Sequence, residues 1–133
     1  MKPLIHCKRS VLKFGGKIED YIDIHNFFDQ TKAFIPDASH RLVLHNAFGI
    51  FLCEQQFGEI VVHNGQYKRM PYITNSDGNQ VSVRDIAEAH VIEDLGCIPT
   101  LQDCWKVVEI PINFVGGIKP TITIKRDQIQ MVD

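Results

Sequence analysis

The chain has 133 residues, of which 44% are hydrophobic and 23% are charged, and its formal net charge is −2. This composition predicts one globular domain, residues 1–133, with a core that does not depend on disulfides. Acids and bases are mixed along the chain, which argues against general nucleic-acid binding. No apolar stretch reaches the roughly 18 residues of a membrane-spanning helix, so no membrane association is expected.

The amino terminus and the cysteines predict the same compartment. The first residues lack the apolar core of an export signal, which predicts a cytoplasmic protein. The four cysteines, Cys7, Cys53, Cys97 and Cys104, include no Cys-x-x-Cys pair. In the cytoplasm they are expected to be reduced and mostly buried, and their spacing gives no support to a four-cysteine zinc site.

The first half of the chain is predicted to be mainly helical. Residues 1–18 are expected to be irregular or to start a short strand. Apolar residues three and four positions apart predict a first helix from Ile18 or Asp20 to Phe34. A second helix is predicted over residues 38–57. Its apolar residues lie on nearly every side, which is typical of a central, buried helix.

The middle of the chain is predicted to form a small sheet. An Asn-Gly turn and an Asp-Gly turn separate three β-like runs, 60–63, 69–74 and 80–83. Such turns connect antiparallel neighbours, so the three runs predict a meander. Two further runs in the tail, 107–112 and 121–125, are expected either to form a terminal hairpin or to extend this meander.

Two more helices are predicted after the meander. Ser82 caps a third helix that runs to Leu95, and Thr100 caps a short fourth helix that runs to about Trp105. Together the elements predict an α+β fold, with three to four helices around the central buried helix at 38–57 and a small antiparallel β-meander.

The predicted central helix carries polar side chains that need partners. At 100° per residue, His40 and His45 lie about 140° apart, so they are not expected to face one small site together. Gly49, one turn after His45, leaves room beside its imidazole for a ligand or for another helix. Arg41 and His45 are therefore predicted to bind a ligand, and His40 is predicted to pair with Glu54. The alternatives are a hydrogen-bonded core network and an exposed face.

Arg84 is the third predicted ligand-binding residue. It lies near the start of a predicted helix, where it would bind an anion, and an Arg84–Glu88 pair one turn apart is the simpler alternative. His6 and His63 lie near a terminus or a turn and are expected to be exposed.

Histidines paired with carboxylates indicate a metal site. His25 precedes Asp29 by four residues and His90 precedes Asp94 by four, so each pair shares a helix face. Helices bearing such groups around one cavity predict a site for a divalent metal, either zinc or manganese. The alternative for each pair is an ordinary surface ion pair. The predicted metal ligands are His25, His45, His90 and Asp94.

Several strings together resemble a family of small, uncharacterised domains from bacteria and their phages. They are FGGKIEDY at 14–21, IHNFFDQTK at 24–32, SHRLVLHNAFGIFLCEQQFG at 39–58, ITNSDGNQVSVRDIAEAHVIEDLGCIPT at 73–100, and Asp103. The resemblance covers residues 10–105 and leaves out 63–70 and the tail from 106. It implies a phage-encoded protein of the host cell cytoplasm, and it brings no established activity.

Three functions are compatible with these features. The first is a binding module for a host protein or a small anionic ligand, which the small size and the missing catalytic signature favour. The second is a metal-dependent hydrolase, and the third is a structural virion component. Unpaired strand edges also allow a homodimer.

The second function is a metal-dependent hydrolase of a phosphorylated or nucleotide substrate. It would resemble hydrolases of the helical histidine-aspartate type, although the adjacent pair here is His45-Asn46 and neutral asparagine is a poorer metal ligand. The residues that would build its centre are His25, His40, His45, His90 and Asp94.

Overall fold

A computed structural model describes residues 1–106, 109–111 and 123–125. The α-helices in this described part are α1 (Pro3–Phe14), α2 (Ile22–Asp29), α3 (Arg41–Leu44), α4 (Ala47–Phe57), α5 (Val83–Leu95) and α6 (Leu101–Trp105). The strands are β1 (Ile60–His63), β2 (Gln66–Arg69), β3 (Tyr72–Thr74), β4 (Gln80–Ser82), β5 (Glu109–Pro111) and β6 (Thr123–Lys125). The predicted α+β class is confirmed. None of the helices in the described part is long and apolar enough to cross a membrane.

Helix α1 lies where the sequence predicted irregular chain or a short strand, so that prediction is wrong. Proline is well suited to the first turn of a helix, and Pro3 occupies that position. The buried residues of α1 are His6, Cys7 and Ser10. This buried stripe contains no large apolar residue, so the hydrophobic pattern of the sequence did not indicate a helix.

The predicted first helix is divided into three pieces. Helix α2 lies between two short 3-10 helices, Ile18–Asp20 and Gln30–Ala33. Its buried face consists of Ile24, His25, Phe27 and Phe28. This face places a histidine among the aromatic side chains of the core.

The predicted helix at 38–57 is broken in the middle, which the sequence did not predict. His45 has non-helical dihedral angles, φ −78° and ψ 62°, and Asn46 is extended. The side chain of Asn46 accepts a hydrogen bond from the Gly49 amide at 2.9 Å and donates to the Val43 carbonyl at 3.1 Å. One asparagine therefore closes α3 and caps α4, and the break turns the His45 ring inward.

Gly49 does not leave space beside His45 as the sequence analysis proposed. A Cβ atom on Gly49 would lie 1.7 Å from the carbonyl oxygen of Leu44, so the glycine allows the end of α3 to lie directly on α4. The close contact is between two backbone segments, so no rotamer change can make room for a side chain there.

We expect Gly49→Ala to lower the free energy of unfolding by roughly 2–3 kcal/mol, because the added methyl group must displace the Leu44 backbone. The matched control is Gly65→Ala, where an added Cβ meets nothing within 4 Å and only the positive φ of 75° is unfavourable. That strain costs about 1 kcal/mol. Urea denaturation compares the two variants, and equal losses would contradict the close approach.

The strands pair as separate antiparallel hairpins, β1 with β2 and β3 with β4, rather than as one meander. Both predicted turns are present, with positive φ at Asn64, Gly65 and Gly78. Proline has no N–H, so Pro71 between β2 and β3 cannot donate to a ladder at that point. In the tail, β5 pairs with β6, as in the predicted terminal hairpin. The remainder of the predicted tail runs lies outside the described residues.

Helix α5, rather than the 38–57 segment, occupies the centre of the fold. It contacts α1, α2, α4, β3 and β4. By contrast, Phe48 and Phe51 of α4 are 44% and 51% exposed. The predicted caps of α5 and α6 are confirmed, since Ser82 accepts from the Asp85 amide and Thr100 from the Asp103 amide. Three of the cysteines are buried and Cys97 is exposed.

Candidate metal centre

Four fully buried histidines come together in the core, each from a different segment. They are His6 of α1, His25 of α2, His45 after α3 and His90 of α5. The prediction that His6 is exposed is wrong, because α1 folds it against α5. His63 on β1 is exposed, as predicted.

The first potential ligand group consists of Asp29, His45, His90 and Asp94, whose donor atoms all lie within 4.8 Å of one another. The His45 Nε2 atom lies 2.9 Å from Asp94 Oδ2 and 3.2 Å from His90 Nε2. The His90 Nε2 atom lies 3.3 Å from Asp94 Oδ2, and both imidazole nitrogens lie 3.8 Å from Asp29 Oδ1. Ligands about 2.0–2.2 Å from a tetrahedral ion are about 3.3–3.6 Å apart, and the observed separations of 2.9–3.8 Å lie on both sides of that range, so small side-chain shifts would bring the four groups to a common ion.

Asp29 is the least satisfied member of this group. Its side chain is 9% exposed, and its Oδ2 atom is buried without a hydrogen-bond partner. The nearest nitrogen to its Oδ1 atom is His40 Nε2 at 3.6 Å, which is longer than a hydrogen bond. Burying a carboxylate with no hydrogen bond is costly, and a cation between Asp29 and the imidazoles would remove that cost.

A second potential group contains His6, His25 and His90. Its rings are stacked, with His6 over His90 at a centroid distance of 3.8 Å and an interplanar angle of 27°. The lone pairs of an imidazole lie in the ring plane, so near-parallel rings direct them side by side rather than toward one point. The first group is therefore the better candidate for a metal site.

The two carboxylates of the first group are held in the charged form. Burial opposes the ionisation of Asp94, but hydrogen bonds, chiefly from His90 and the Met1 amino group, hold its pKa well below the usual range. Burial likewise opposes ionisation of Asp29, and the nearby imidazoles lower its pKa overall. Burial also disfavours protonated His90, yet the two carboxylates outweigh it and raise the pKa of His90. The two carboxylates that favour the His90 proton are the same groups that a metal ion in place of that proton would contact.

Burial and the neighbouring His90 lower the pKa of His25 to about 3 and that of His45 to about 4. An unfolded histidine titrates near pH 6.5, so between these values the unfolded chain binds more protons. The stability that these two groups contribute is present above about pH 6.5 and is lost as the pH falls toward 4. The raised pKa of His90 opposes this loss, whereas the pKa of His6, which burial lowers, acts in the same direction as those of His25 and His45.

For chelator-treated protein we therefore expect a lower urea midpoint at pH 5 than at pH 7.5. Asp94 stays ionised across this range and does not contribute to the change. The control is His63→Gln, which removes an exposed histidine and should show the same dependence. An unchanged or higher midpoint at pH 5 would contradict the neutral, buried state of His25 and His45.

The structure brings together three of the four predicted metal residues, His45, His90 and Asp94. The fourth, His25, lies behind His90, its Nδ1 atom 2.9 Å from His90 Nδ1. Asp29 takes the place that the sequence analysis gave to His25. Asp29 lies one turn after His25, and this spacing is the sequence signal that could have indicated it as a ligand. The spacing does not tell which of the two side chains reaches the ligand group.

The predicted ligand-binding residues are not brought together. Arg41 Nη2 lies 3.7 Å from Asp94 Oδ1, at the edge of the histidine cluster. Arg84 is on the surface, where its side chain is 60% exposed and donates to Glu54 at 2.8 Å. Arg84 thus pairs with Glu54 rather than with Glu88 as predicted. Because Glu54 contacts Arg84, it is not the partner of His40 as predicted. His40 instead lies beside Asp29, with its Nδ1 atom 2.8 Å from the Asp37 carbonyl oxygen.

The fold and this site define an α+β domain with a buried group of two histidines and two aspartates around its central helix. Comparison with known families identifies the family of the chain. The chain belongs to the family described as Domain of unknown function (DUF6915), which matches residues 1–113. The match confirms an uncharacterised family and extends the predicted span of 10–105 to include α1 and the β1–β2 hairpin. No curated protein and no solved structure matches the chain significantly.

Proposed function

We propose that this protein binds one divalent transition-metal ion through Asp29, His45, His90 and Asp94, and that the ion stabilises the fold. The Asp29 carboxylate carries the proposal, because its Oδ2 atom is buried without a hydrogen-bond partner. Three imidazole nitrogens surround the Oδ1 atom of Asp29 at 3.6–3.8 Å, too far to donate hydrogen bonds and slightly more than the roughly 3.3–3.6 Å between ligands of one tetrahedral ion. His40 is the third of these imidazoles.

Zinc suits this donor set better than manganese. Two imidazole nitrogens and two carboxylate oxygens are common zinc ligands, and zinc accepts four protein ligands in a closed tetrahedral site. Manganese prefers six donors rich in carboxylate and water. The side chains of His45, His90 and Asp94 are at most 1% exposed, which favours a closed site over one that keeps water.

The same burial makes a metal-dependent hydrolase the weaker proposal, because a catalytic metal needs a position open to substrate. Binding of a small anionic ligand is also less well supported, since Arg41 lies against Asp94 and Arg84 is bonded to Glu54. A host-protein partner, a virion role, a homodimer, phage origin and the cytoplasmic location stay predictions from the sequence.

The direct test is zinc stoichiometry and affinity. Purified protein is stripped with a chelator, titrated with zinc against a chromophoric competitor, and checked by elemental analysis. We expect one zinc per chain. Asp29→Asn should weaken binding by more than the roughly 10–100-fold that loss of an outer partner costs. This variant should still fold, because asparagine keeps the size of the side chain and no nitrogen of the three neighbouring imidazoles lies closer than 3.6 Å to Asp29 Oδ1.

The matched control is His63→Gln, which removes a histidine from the exposed face of β1. It should bind zinc as tightly as the wild type. A wild-type protein without zinc affinity, or an Asp29→Asn variant that binds as tightly as His63→Gln, would overturn the proposal.

A further inference from the structure

A buried chain of hydrogen bonds leads from the candidate metal group to helix α1. His90 Nδ1 lies 2.9 Å from His25 Nδ1, and His25 Nε2 lies 2.8 Å from Ser10 Oγ. The two histidines are fully buried and Ser10 is 3% exposed. None of the three groups can exchange its partner for water without a change in packing.

The position of one proton determines which group donates and which accepts in each of these hydrogen bonds. If His90 Nε2 binds a metal, its proton is on Nδ1 and is donated to His25 Nδ1. His25 must then carry its own proton on Nε2 and donate it to Ser10 Oγ. Ser10 directs its hydroxyl hydrogen elsewhere, for which a serine within a helix has the carbonyl of the preceding turn.

The opposite direction is incompatible with metal binding. If Ser10 donates to His25 Nε2, then His25 donates from Nδ1 to His90 Nδ1. The proton of neutral His90 is then on Nε2, where it points at His45 Nε2 and Asp94 Oδ2, 3.2 and 3.3 Å away. The lone pair that would bind the ion is thereby blocked.

We propose that His25 and Ser10 are positioning residues that hold His90 in its metal-binding tautomer, with Nδ1–H donated to His25 and Nε2 free for the ion. This inference rests on the proposed metal site.

Two substitutions at His25 separate positioning from packing. His25→Phe keeps a ring of similar size but removes the acceptor for His90 Nδ1–H, and we expect zinc affinity to fall about 10–100-fold. His25→Gln offers an amide oxygen as acceptor and should retain more of the affinity. If His25 only fills space, phenylalanine is the milder change, and that order of affinities would overturn the inference.

Nitrogen-15 NMR of the histidine rings gives a readout that does not depend on any variant. In the zinc-bound wild type, His90 should be protonated on Nδ1 and His25 on Nε2. His25 protonated on Nδ1 in the zinc form would overturn the inference while leaving zinc binding intact. A wild type that binds no zinc would overturn both proposals.

Discussion

Zinc at about a thousand times its dissociation constant should raise the melting temperature of the stripped protein by about 12–16 °C. A ligand at that excess contributes about 4.1 kcal/mol when it binds only the folded state. For a domain of 133 residues, 1 kcal/mol corresponds to roughly 3–4 °C. The effect is large because the four ligands come from three separate segments, α2, the end of α3, and α5, which the ion would join.

Variants test where the zinc binds as well as how far it raises the melting temperature. His63→Gln should show the full zinc shift, and Asp29→Asn and His45→Gln should show at most about a third of it, because a site weakened about 100-fold is then at only about ten times its dissociation constant. A shift of equal size in all variants would place the zinc elsewhere. No shift in the wild type at saturating zinc would contradict a stabilising ion.

Local signals predicted much of the fold from the sequence. Ser82 and Thr100 cap helices as expected, and the Asn-Gly and Asp-Gly turns form hairpins, because each signal depends on a few adjacent residues. The break at His45 and Asn46 was not predicted. Asn46 lies inside a continuous apolar run, and its capping role becomes visible only when the Leu44 backbone is seen against Gly49.

The candidate site was predictable only in part, for a related reason. The four-residue spacing of His90 and Asp94 places both on one helix face, and both do join the group. The helical count that separated His40 from His45 assumed one straight helix, and the break invalidates it. His6 had no local signal at all, because it becomes buried only through the packing of α1 against α5.

Asp94→Ala should lower the free energy of unfolding by about 3–5 kcal/mol even without metal. Asp94 is 1% exposed at its side chain, and its carboxylate lies within 3.3 Å of nitrogens from His6, His45 and His90. Removing one partner of a buried charged network leaves the others uncompensated, which costs this amount. The raised pKa of His90 shows that the carboxylates favour its protonated form, which would be left without this partner.

The matched control is Asp23→Ala, which removes an exposed aspartate from the first turn of α2. Its loss should stay below about 1 kcal/mol, the size of a helix-dipole effect. Urea denaturation of chelator-treated protein at pH 7.5 measures both variants without any contribution from a bound ion. If Asp94→Ala and Asp23→Ala lose the same stability, the buried carboxylate does not hold the histidines together. The cluster would then depend on aromatic packing, such as the stacking of His90 on Phe28 at 4.8 Å.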